Sequence, residues 1–345
     1  MKPHNFLFIL LILVLGLLFV KPSQVQATVD IQEATPTPSP SDQEYVIPTC
    51  LNRGSIPASE LNWLFIPESA EDLRTQVPFV FLAGQLIKSG AVDASTCLNN
   101  GLLANGAANA CGLALARPLV MEMQNMYDDE IYNAGEQIGV PPYMLKQVFR
   151  FESQFWPGQW DELHFGLGHL TPWGASTALL WNPDLRQEVC QSVYGQPCPS
   201  YRETNVYTSQ LIGALLNMVN ADCPNCPQKI DVPKAEASVR IFAQVLMAHC
   251  TQSSRVIYNI TGEHSGQSVD YATIWRMTLF NYNVGPYCLR DTLEAVLEDD
   301  PETTTFSWIE FEEHVPKGEC RAGVTYVDQI TKPPSGTLGI IDENE

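Results

Sequence analysis

Apolar positions recur along most of the chain at spacings of three and four, the period of a helix, and seldom alternate for long enough to build a sheet. Helices are predicted over residues 77–89, 115–139, 205–220, 233–250, 270–282 and 289–297. Another begins at Pro141-Pro142, because a missing N–H costs nothing at the first helical positions. Within it, Leu145, Val148 and Phe149 stand seven, four and three residues before Glu152, so all four project from one side. Residues 182–200 and 221–232 are rich in Pro and Cys and read as stapled loops. The expected class is all-α, with one large domain over residues 46–331 and no internal repeat.

The ends of the chain carry different signals. Lys2 precedes an apolar run from Phe6 to Val20, and Val25-Gln26-Ala27 suits a small-residue cleavage site, so residues 1–27 read as a secretory signal peptide. That run is short for a membrane span, and an uncleaved anchor is the lesser alternative. With no cysteine at the cleavage point, no lipoprotein signal is present. Residues 28–45, with Thr35-Pro36-Thr37-Pro38-Ser39-Pro40, read as an extended linker, and 332–345 as a disordered tail. The expectation is an exported protein, secreted or held in the cell envelope, without stable membrane insertion after cleavage.

Export changes how the ten cysteines are read. All lie beyond the cleavage site, and an even count in an oxidising compartment argues for disulfides. Connectivity stays open, with Cys97/Cys111 and Cys190/Cys198 as the easy near pairs. Cys223-Pro-Asn-Cys226 with His249-Cys250 has the residue types of a zinc site, but disulfides are preferred because export decides the fate of the thiols. The formal charge is −20; losing Lys2 and Lys21 leaves 17 basic against 39 acidic side chains, −22. Nucleic acid is excluded as a partner, since binding it needs basic surface. A ligand must be held by shape, stacking and hydrogen bonds, for which seven Trp and twelve Tyr provide the means.

Glu152 is the residue with the clearest chemical promise. A carboxylate on an apolar stripe leaves bulk water when the stripe packs, which disfavours its charged form and suits a proton donor. Phe155 and Trp156 follow and can wall such a site; the plainer alternative is a Glu that merely caps a core helix. Glu152-Ser153 is followed by the glycine-rich turn Gly166-Leu167-Gly168-His169-Leu170-Thr171, and much later by Tyr282-Asn283-Val284-Gly285-Pro286. In this order the three motifs resemble those of the lytic transglycosylases with a soluble-lytic-transglycosylase, goose-type lysozyme-like domain. Members carry Glu-Ser at a helix end, a Gly-Leu-Met-Gln-like turn, and Tyr-Asn-Ala-Gly-Pro.

The resemblance implies a lysozyme-like helical fold, with a catalytic core at about residues 116–331 acting on peptidoglycan glycan strands without metal or cofactor. Glu152 would give a proton to the oxygen between N-acetylmuramic acid and N-acetylglucosamine, then take one from the 6-hydroxyl as a 1,6-anhydro ring closes. Tyr282 would lie beside the acid as a second catalytic residue. Ser153, Gly166, Leu167, Gly168, His169 and Asn283 would contact substrate, the glycines letting backbone approach the sugar.

The chain departs from this pattern in three places. His169 stands where glutamine is usual, and imidazole titrates near neutrality while an amide does not. The expected acidic neighbours of His169 are Asp161 and Glu162. Trp160 to Phe165 replaces the usual Ser-x-x-Gly-Ala, and Val284 replaces alanine. Two other readings follow. Asp161 or Glu162 could direct water as the second acid of a hydrolase, although an exposed acidic turn is the plainer account of both. The domain could also bind glycan or serve the wall without catalysis.

Overall fold

Helix Pro142–Glu152 is buried around its whole circumference from Pro142 to Phe149. The computed structural model describes residues 49–51, 60–198 and 208–332. Among these, the α-helices in chain order are α1 Leu61–Leu64, α2 Val80–Lys88, α3 Ala110–Met123, α4 Asp128–Ile138, α5 Pro142–Glu152, α6 Pro172–Trp181 and α7 Pro183–Tyr194. They continue with α8 Thr208–Val219, α9 Val232–Thr261, α10 Ser265–Ser268, α11 Tyr271–Asp299, α12 Trp308–His314 and α13 Arg321–Thr331. No strand occurs among the described residues, only isolated antiparallel bridges. The signal peptide and linker expected over residues 1–45, and the tail beyond Lys332, lie outside the described residues.

Local chemistry explains where many helices start and stop. Asn109, Thr171, Asn182, Asp231, Asp270 and Ser307 each accept a main-chain N–H of the first turn that would otherwise lack a partner. Prolines sit in the first turns of α5, α6, α7 and α9. Left-handed glycines at 139, 195 and 262 end α4, α7 and α9.

The core lies between the two longest helices, α9 and α11. α4, α6 and α8 pack on α9, while α12 and α13 pack on α11. α5 lies against α1, α4 and α13. Trp63, Trp275, Phe149, Phe242, Phe280 and Phe311 are fully buried, each worth about 1.5–3 kcal/mol in removed apolar surface. Lys146 is buried inside this core and pairs with Asp128 at 2.6 Å.

Several expected boundaries move, each for a visible reason. Residues 115–139 are two helices rather than one, because Gln124 and Asn125 turn their amides outward to Val77 and Thr75. Each amide both donates to and accepts from the main chain there. Residues 183–194 are helix, not loop: Asn182 caps it, and the Cys190–Cys198 disulfide closes the chain just past its end. The helix expected to end at Cys250 continues to Thr261. The two helices expected over 270–282 and 289–297 meet in α11 at a bend at Gly285, with φ 84 and ψ 170 and Pro286 next. That conformation is open essentially to glycine alone. Residues 221–232 are the loop expected, stapled by Cys223–Cys226.

All ten cysteines are paired, as Cys50–Cys250, Cys97–Cys111, Cys190–Cys198, Cys223–Cys226 and Cys288–Cys320. The two near pairs read from sequence are among them. Zinc at Cys223, Cys226 and Cys250 is overturned, since the disulfides take the thiols that would have to bind it.

Candidate active site

Glu152 is the last residue of α5, where the buried helix gives way to a partly exposed end. Its side chain keeps 15% of its exposure. A carboxylate at a helix C-terminus opposes the helix dipole, so helix stability does not account for its presence. The chain then reverses through Gln154 and Phe155, both in left-handed backbone at φ 48 and 69. Gln154 holds this turn by accepting the Phe81 N–H at 2.9 Å. Phe155 and Trp156, expected to wall the site, instead turn into the core at 1% and 4% exposure.

The glycine-rich turn does reach Glu152, through His169. Its Nδ1 lies 3.4 Å from Glu152 Oε2, and its φ of 51 is left-handed. The imidazole sits between the rings of Trp160, at 5.1 Å, and His164, at 5.4 Å. Asp161 is not the neighbour of His169 that was expected. It is exposed, and its carboxylate accepts from the N–H groups of Leu163 and His164 and from the His164 ring at 2.8 Å. A little desolvation raises the Asp161 pKa, but these bonds outweigh it and leave the group below the usual carboxylate range. Glu162 is exposed.

Gly166, Leu167, Gly168 and Ser153 are all buried. A Cβ on Gly168 would stand 2.6 Å from the Phe242 ring, and one on Gly166 would stand 2.5 Å from the Val219 carbonyl oxygen. The glycines therefore let the turn press closely onto α8 and α9. Ser153 donates its hydroxyl to the Leu167 carbonyl at 2.7 Å. The expected substrate contacts of Ser153, Gly166, Leu167 and Gly168 are thus buried positions that help fix where Glu152 and His169 meet.

Tyr282 lies on α11 just before the Gly285 bend and donates its hydroxyl to the Gly168 carbonyl. It thus ties the second motif to the third. Burial first, and then the Glu152 charge, raise its pKa well above the ordinary phenol value. The His249 ring packs edge-on against it at 5.1 Å. His249 is fully buried, and burial pulls its pKa down to about 4. Asn283 is exposed and makes no contact with Glu152 among those observed. The asparagine that is buried is Asn281, whose amide donates to the His249 carbonyl, Gln252 and Ser253.

Tyr326, on α13, is the participant that sequence reasoning missed. Its hydroxyl is buried beside Glu152 without a well-formed hydrogen bond. Burial, then the charges of Glu152 and Tyr282, raise its pKa far above the phenol range. Its ring lies 6.3 Å from that of Tyr282 and 5.3 Å from that of Phe151. The Cys288–Cys320 disulfide joins α11 to the start of α13 and brings the two tyrosines together. No sequence signal links Tyr326 to Glu152, because that link is the packing of α13 on α5.

The assembled site is one half-buried carboxylate bracketed by an imidazole and two phenols that keep their protons. Such a group can give a proton to a ligand and take one back. Among the described residues no three His, Cys, Asp or Glu side chains converge as metal ligands, and no helix is long and apolar enough to cross a membrane. No protein-family model, no curated protein and no solved structure matches the chain.

Proposed function

We propose that this protein is an exported lytic transglycosylase with a lysozyme-like catalytic domain, cleaving the β-1,4 bond between N-acetylmuramic acid and N-acetylglucosamine in peptidoglycan. The observation that carries the reading is Glu152 held alone between His169, Tyr282 and Tyr326, with Asp161 drawn off by His164. Hydrolysis with two carboxylates needs a second acid placed to act on water or the sugar. Asp161, committed to an exposed turn, is poorly placed for that task, which favours a single acid/base. In this scheme the Glu152 carboxyl donates its proton to the leaving bridging oxygen. The resulting carboxylate then accepts the proton of the sugar's 6-hydroxyl as that oxygen closes onto C1. Protons balance over the cycle, and no water enters the product.

The acidic surface offers little charge attraction to anionic wall polymers, so recognition rests on stacking and hydrogen bonding. His169, beside the carboxylate, and Trp160, packed against it, are partly open rings. Mass spectrometry of peptidoglycan digested by the mature protein tests the reading. Anhydro ends, lighter by one water than hydrolytic ends, are expected. Glu152→Gln should keep the fold and lose at least ~10²-fold in turnover, the low end for general acid–base catalysis. Comparable turnover in that variant rules Glu152 out, and a parent that binds glycan without cutting it would mark a binding protein instead.

A further inference from the structure

A loop that the proposed chemistry leaves unused holds the segment before the glycine-rich turn, through Asp222 on Gln159 and Ala221 on Pro157. Cys223-Pro224-Asn225-Cys226 closes a disulfide over a separation of 3 residues, the shortest of the five. It therefore restrains the unfolded chain least of the five. Both cysteines are half-buried, as are Cys198, Cys288 and Cys320, while Cys111 is exposed and Cys50, Cys250 and Cys190 are fully buried. The turn is closed by the Cys226 N–H donating to the Cys223 carbonyl at 2.9 Å. Lys229, at φ 62, lays its ammonium on the Pro224 carbonyl at 3.1 Å.

Asp222, next to Cys223, is the link to that segment. Its carboxylate accepts the Gln159 N–H at 3.0 Å. It also lies flat on Gly158, where a Cβ would stand 1.9 Å from Oδ1. Ala221 donates its N–H to the Pro157 carbonyl at 3.0 Å. Gln159 in turn opens the segment whose bridges pair it with Phe165, and Phe165 with Leu170. Trp160, the following residue, carries the ring against which His169 rests. The path from disulfide to Glu152 is thus short: Cys223, Asp222, Gln159, Trp160, His169.

We propose that Cys223–Cys226 is a thiol–disulfide exchange site for an external dithiol, and that its redox state sets how firmly the 157–170 segment is held beside Glu152. In the exchange, a thiolate of the dithiol attacks one sulfur, the Cys223–Cys226 bond breaks and a mixed disulfide forms. The second thiol of the reagent then resolves it. The reagent leaves as a disulfide, and two electrons and two protons stay with the protein as two thiols. The bearing on catalysis rests on the reading of Glu152 above; the exchange chemistry does not.

The test treats the full mature chain with limiting dithiothreitol, locates alkylated thiols by mass spectrometry, and follows backbone hydrogen exchange before and after. Cys223 and Cys226 should label before the other eight cysteines. The Gln159 amide should then exchange about five- to thirtyfold faster, as for loss of one or two modest stabilising contacts, while α9 and α11 keep their protection. Cys223→Ser/Cys226→Ser should show the same change without reductant. Labelling of this pair only together with Cys50 and Cys250 would overturn the proposal, as would prompt labelling that leaves Gln159 exchange unchanged. Glu152→Gln run in parallel should match the parent in both readouts, so failure of the glycan-cleaving reading and failure of this one are told apart.

Discussion

Glu152 is surrounded by groups whose proton states are set by burial. Tyr282 and Tyr326 keep their protons because a buried phenolate beside Glu152 would be doubly penalised. His249 stays neutral behind Tyr282, because neither ring nitrogen has a partner and burial disfavours the cation. That has a stability consequence with a definite sign. Unfolded, an imidazole takes a proton below its ordinary value of 6.5, whereas the folded His249 waits until about 4. Between those values the unfolded state binds more protons, so the His249 contribution is whole above about 6.5 and is lost as pH falls toward 4. The loss reaches roughly 3 kcal/mol at its limit. His249→Phe should flatten that part of the pH slope, read from urea midpoints at about pH 7 and about pH 4.5. An unchanged slope would mean that His249 is hydrated in the folded state.

α5 shows how one element serves both stability and the site. It is buried along its first eight residues, including the charged Lys146, whose ammonium is 1% exposed. Burial pulls Lys146 down and Asp128 up, each toward its neutral form, while their mutual attraction opposes both shifts. Asn125 accepts a further ammonium hydrogen at 3.3 Å, and the Phe155 ring faces it at 5.7 Å. Asp128→Asn leaves an unpaired buried charge and should cost about 3–5 kcal/mol. Asp128→Asn/Lys146→Met should recover most of that, since a well-packed apolar replacement of a buried pair is often neutral. Chemical denaturation of the single and double variants decides it; a double variant as weak as the single would show that α5 needs the charge. α11 carries a different constraint. Its Gly285 bend leaves a Cβ in open space, so Gly285→Ala should destabilise by backbone strain alone, of order 1–3 kcal/mol.

At the scale of the molecule, disulfides tie the first and last described elements to the central pair of helices. Cys50–Cys250 fastens the first described turn to α9 across 200 residues, and Cys288–Cys320 fastens α13 to α11. Loop entropy alone gives the first roughly 5 kcal/mol and Cys223–Cys226 roughly 2. Cys50→Ala/Cys250→Ala should therefore lower the urea midpoint far more than removal of the short bridge. Equal losses would show that the 200-residue loop is already restricted in the unfolded chain. Arg276 reinforces the same end, pairing with Glu60 and lying over the Trp63 ring at 5.1 Å.

Periodicity by itself determined the all-helical class, because a packed face leaves its spacing in the sequence whatever it packs against. The pairing of Cys97 with Cys111, and of Cys190 with Cys198, was legible for a related reason: short loops have few alternatives. The helix carrying Glu152 could be read from the prolines before it and the apolar spacing within it. Tertiary structure decided what each glycine faces, since Gly166 and Gly168 look the same in sequence whether they clear space for a sugar or for Phe242. It decided that α7 is helix, that Gln124 and Asn125 break the long run before it, and that Asp161 spends its charge on His164. It alone brought Tyr326 to Glu152, over 174 positions of chain, by packing α13 on α5. Local patterns record which side of an element is dry; the identity of the neighbour on that side is a property of the assembled fold.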